Sequence, residues 1–83
     1  MNRNWVLFHL GEARDEIEKT LEKIRVTPDY DYGEFFVAMQ HLYHHLNTAW
    51  NSRDLTEDQI AHRSRQDVDQ WGRFPPDFLM MGE

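Results

Sequence analysis

Three observations predict an all-α fold for this 83-residue chain. Apolar residues recur at steps of three and four through two long segments, far from strand alternation. Asp31-x-x-Glu34 and Thr56-x-x-Gln59 match the capping box, in which a side-chain oxygen satisfies the free N–H groups of a helix start. The three prolines fall at Pro28 and at Pro75-Pro76, where they stop helices rather than interrupt them. The expected architecture is a single domain over residues 1–83. It comprises an antiparallel helical hairpin, a shorter third helix and an apolar C-terminal tail, completed as a helical bundle by dimerisation.

The first helix is expected over about residues 4–25, with the stripe Val6, Leu10, Ala13, Ile17, Leu21 and Ile24 as its core face. Acidic and basic residues fill the positions between. Asp15 and Lys19 stand at i,i+4 in the favourable order, and Lys23 and Arg25 suit the negative C-terminal end. Gly11 is the weak point, and residues 4–10 could instead be extended ahead of it. Thr27-Pro28 ends this segment.

The second helix is expected over about 31–51, with a broad apolar face of Phe35, Phe36, Met39, Leu42, Tyr43, Leu46, Ala49 and Trp50. A connection this short makes the two helices antiparallel neighbours. A weaker third helix, about 57–71, carries Ile60, Ser64, Val68 and Trp71, with Ser64 as a small buried hydroxyl. Gly72 terminates it, and the tail 72–83 is apolar enough to close a face. Asn47, at the edge of the second helix's apolar face, reads as a solvated boundary position, with a register-fixing role as the alternative.

Composition narrows the functional classes. A net charge of −6, with the basic residues scattered among acids, disfavours a nucleic-acid partner, which needs a basic stripe. Trp5-Val6-Leu7-Phe8 is the longest strongly apolar run, too short for a membrane span or a signal peptide, so a cytoplasmic location is expected. The chain holds no cysteine, which removes disulfides and thiolate chemistry. Ser52 and Ser64 lie outside any nucleophile-elbow pattern, and the four glycines are too dispersed to cradle a phosphate.

Two features remain. Trp5 and Phe8 point away from the first helix's stripe and need cover, either from Trp71, Phe74, Phe78 and Leu79 or from a second subunit. Those aromatics form the expected interaction surface. His41 and His45, at i,i+4, are spaced to share a metal ion with Glu34 or Glu12, a divalent metal such as zinc being the cofactor in that case. Solvated or carboxylate-paired histidines without a cofactor are the simpler expectation. The leading functional reading is a non-enzymatic protein-interaction or regulatory module, with self or another protein as partner. A metal-binding helical protein and a small enzyme with a histidine base at a subunit interface are the alternatives.

Overall fold

The computed structural model describes residues 1–78. Four helices follow one another: α1 (Arg3–Val26), α2 (Tyr32–Asn51), α3 (Glu57–Ala61) and α4 (Arg65–Trp71). Helix accounts for about 72% of the described residues, among which there is no strand. The two long helices pack as a hairpin, and α4 packs on α2. The segment Leu79–Met81, part of the expected apolar tail, lies outside the described residues.

α1 is continuous through Gly11, so residues 4–10 are helical rather than extended. Asn2 caps it by accepting a hydrogen bond from the Trp5 N–H, while its own side-chain amide donates to the Leu55 carbonyl at 3.0 Å. This ties the start of α1 to the α2–α3 loop. α2 opens on a complete capping box, in which Asp31 and Glu34 each bond the other's backbone N–H.

The expected third helix is two helices. Ser64 is not a buried stripe member but the exposed N-cap of α4, forming a reciprocal capping box with Asp67. A Ser with Asp three positions on offers the backbone a helix start, and here that local signal overrides the weak periodicity across it. Asn47 is also placed differently from the solvated reading. It is buried and donates to the Gly72 carbonyl at 2.9 Å. Asn51 donates to the Trp71 and Arg73 carbonyls at 2.8 and 2.7 Å. Together they satisfy the free carbonyls at the end of α4. The pairing expected between Asp15 and Lys19 is replaced by Lys19 with Glu16 at 3.4 Å and Arg14 with Asp15 at 3.7 Å.

The hairpin contact itself overturns the expected core face. Where α1 meets α2, the buried residues are His9, Ala13 and Glu16. Of the expected stripe, Leu10, Ile17, Leu21 and Ile24 are each 44–49% exposed. At 100° per residue these four lie about 80° round from the contact. Phe35, Met39, Leu42 and Leu46 lie about as far round from the contact on α2, and antiparallel packing brings both rows to one side of the hairpin. Val6, Leu10, Leu46, Ala49 and Trp50 line one shallow groove at the end of that side. The hairpin thus carries an apolar face on one side and its histidines on the other.

Candidate functional site

Small and polar residues at the hairpin contact admit a row of paired side chains. His9 on α1 and His45 on α2 meet through their Nδ1 atoms at 3.0 Å. One turn or two further along, His41 Nδ1 lies 3.1 Å from Glu16 Oε1, and Lys19 Nζ lies 3.4 Å from Oε2. Burial would raise the Glu16 pKa, but hydrogen bonds from His41 and Lys19 outweigh it and hold the carboxyl below its usual range.

His9 is 6% exposed. Burial, reinforced by the nearby His45, His44 and Arg63 charges, lowers it to about 4, so the ring is neutral at pH 7. His45 is lowered in the same direction, mainly by burial and by His44. In a neutral pair, one Nδ1 must donate and the other accept, which couples the two tautomers. When His45 donates, His9 carries its proton on Nε2; when His9 donates, its Nε2 is an acceptor.

The pair separates two depressions. On the α1–α2 flank, His41, His45, Glu12, Asp15, Glu16 and Lys19 surround an open groove of about 360 Å³. The sequence-derived metal candidates His41 and His45 do share this groove with Glu12, but His41 turns to Glu16 and His45 to His9. Glu34 lies elsewhere, engaged in the capping box of α2. Among the described residues, no group of three or more His, Asp and Glu side chains is placed to hold a metal ion.

On the other side of the pair is a cleft of about 490 Å³ between the start of α1, the end of α2 and α4. Trp5 and Trp71 meet edge to face across it, their ring centroids 6.5 Å apart. The Trp5 indole N–H donates to Ser52 Oγ at 2.7 Å, and Ser52 in turn donates to the Thr48 carbonyl. That anchor holds the Trp5 ring beside His9, 4.4 Å between centroids. Phe8 stacks next to Trp5 and remains 54% exposed. The expected aromatic surface is therefore divided. Trp71 covers Trp5, whereas Phe78 packs on Trp50 at 4.9 Å with Phe74 against it, so the tail covers a different aromatic from the one expected.

Gly72 belongs to this architecture. A Cβ there would come within 2.7 Å of His44 Nδ1, so a larger residue at 72 would have to push the His44 ring aside. Thr48, Arg63 and the Trp5–Ser52 anchor carry no motif or spacing that marks them in the sequence. His9 had one available signal: it falls on the same helical flank as Ala13 and Glu16. No family model, curated protein or solved structure matches the chain.

Proposed function

We propose that the protein is an interaction module that works as a homodimer, with two hairpins packing their apolar faces into a four-helix bundle. The face formed by Leu10, Ile17, Leu21 and Ile24 on α1 and by Phe35, Met39, Leu42 and Leu46 on α2, exposed except for the half-buried Met39 and Leu42, carries this reading. Phe35 and Leu46 are each 40% exposed, more than a completed core allows. The accessible surface of 6704 Å² exceeds by about 1,400 Å² the value expected for a folded monomer of 10.1 kDa. A standard interface removes about 800 Å² from each partner, so a second copy on this face would take up somewhat more than half of the excess. This interface is on the hairpin face rather than on the Trp5/Phe8 surface expected from the sequence.

Sedimentation equilibrium of the wild type and of the Ile17→Glu/Leu21→Glu variant tests the reading. The expected result is a dimer for the wild type and a helical monomer for the variant. A monomeric wild type at all concentrations removes the proposal, and so does a variant that remains dimeric.

A further inference from the structure

The cleft beside His9 combines features that the dimer does not use. Its walls are aromatic and aliphatic: Trp5, Trp71, Val68 and the exposed Phe8. At its base are two polar side chains more than nine-tenths buried, His9 at 6% and Thr48 at 2% exposure. Each has an atom with no hydrogen-bond partner among the described residues, His9 Nε2 and Thr48 Oγ1. Buried polar groups are nearly always paired, and two unpaired groups bordering one cleft mark a place where a ligand's polar end gains more than it loses.

The charge at the cleft identifies the sign of that polar end. The protein carries 15 acidic residues and a net charge of −6, yet no carboxylate lines this cleft. Arg63 does line it, with its guanidinium carbon 5.7 Å from the Trp5 ring centre. One guanidinium nitrogen donates to the Ile60 carbonyl at 2.7 Å, which fixes the side chain, and no carboxylate pairs with it among the described residues. A fixed arginine fork matches a carboxylate, whose two oxygens accept parallel N–H bonds. The aromatic walls match a flat ring. The volume is within the range of small-molecule sites.

We propose that this cleft binds a small planar aromatic carboxylate, its ring against Trp5 and Trp71, its carboxylate on Arg63 and its inner edge packed on the wall that His9 and Thr48 line. The cleft is on the opposite side of the hairpin from the apolar face, and binding there does not require the dimer.

Isothermal titration with 1-naphthoate and its neutral counterpart 1-naphthamide tests the assignment, using the wild type, Arg63→Gln and Thr48→Val. Saturable naphthoate binding is expected, with naphthamide weaker by about tenfold or more. Arg63→Gln, a change at an exposed residue, abolishes that preference for the acid. Thr48→Val keeps or raises the melting temperature, because it removes an unpaired buried hydroxyl, while weakening naphthoate binding several-fold. Absence of saturable naphthoate binding at millimolar concentration overturns the proposal. So does an unchanged acid preference in Arg63→Gln, and so does a Thr48→Val variant that binds as the wild type does.

Discussion

His9 couples the stability of the molecule to pH. Its folded-state pKa is depressed to about 4 from an ordinary 6.5, first by burial and then by the neighbouring His45, His44 and Arg63 charges. Between these two values the unfolded chain binds more protons than the native one, so stability rises with pH through the window. The contribution is complete above pH 6.5 and is lost as pH falls towards 4, amounting to at most about 3 kcal/mol. His45 and Glu16, both also lowered, act in the same direction, with Glu16 entering only below its ordinary carboxylate range. Urea unfolding of the wild type at a series of pH values is expected to show a steep loss of stability on acidification from 6.5 to 4. In His9→Gln that slope is much reduced, leaving the part owed to His45. Parallel pH profiles for the two proteins would show that His9 is not the group responsible.

At the scale of elements, α4 depends on α2 for its end. A seven-residue helix has few internal hydrogen bonds, and isolated helices of that length do not persist in water. Its start is fixed by Ser64 and Asp67, and its last carbonyls by the amides of Asn47 and Asn51. Asn51→Ala removes two hydrogen bonds at once and is expected to cost about 1–3 kcal/mol. Amide exchange of α4 should accelerate more than that of α1, and equal acceleration in both would show that the clamp is not local. These elements also show what a sequence can and cannot disclose. Capping residues and proline placed the ends of α1 and α2 within about a residue, because caps are local chemistry. The break at Ser64 was hidden by an apolar spacing that happened to run through it. The candidate site was legible only in parts. Trp5, Phe8, Trp71, His41 and His45 stood out by type and spacing, whereas Thr48 and Arg63 acquire meaning only when α2 and the α3–α4 connection come together. Periodicity reports which residues avoid water and is silent about the surface they meet. That is why Leu10, Ile17 and Leu21 read as the hairpin seam, when His9, Ala13 and Glu16 occupy it.

The whole molecule is extended for its length. Its radius of gyration is 14.8 Å, against about 12 Å for a compact domain of this size. Its buried hydrophobic residues, among those described, are Ala13, Ala49 and Ile60, a core of small side chains and one isoleucine. Such a core supplies little of the apolar burial that must offset the ordering of some eighty residues. Leu10, Ile17, Leu21, Ile24, Phe35 and Leu46 are exposed on the hairpin face instead, and the dimer proposed above would bury them. In the proposed dimer, part of the stability comes from association and so depends on protein concentration. Each tenfold rise in concentration should add about 1.4 kcal/mol per dimer and raise the thermal midpoint by a few degrees. Differential scanning calorimetry over a hundredfold concentration range checks this. In Ile17→Glu/Leu21→Glu the concentration dependence should vanish and the midpoint should fall well below that of the wild type. A wild-type midpoint that stays fixed across the range would mean that the hairpin stands without its partner. The stability would then have to come from the polar seam, from the His9–His45 pair and the Glu16 contacts, rather than from the apolar face.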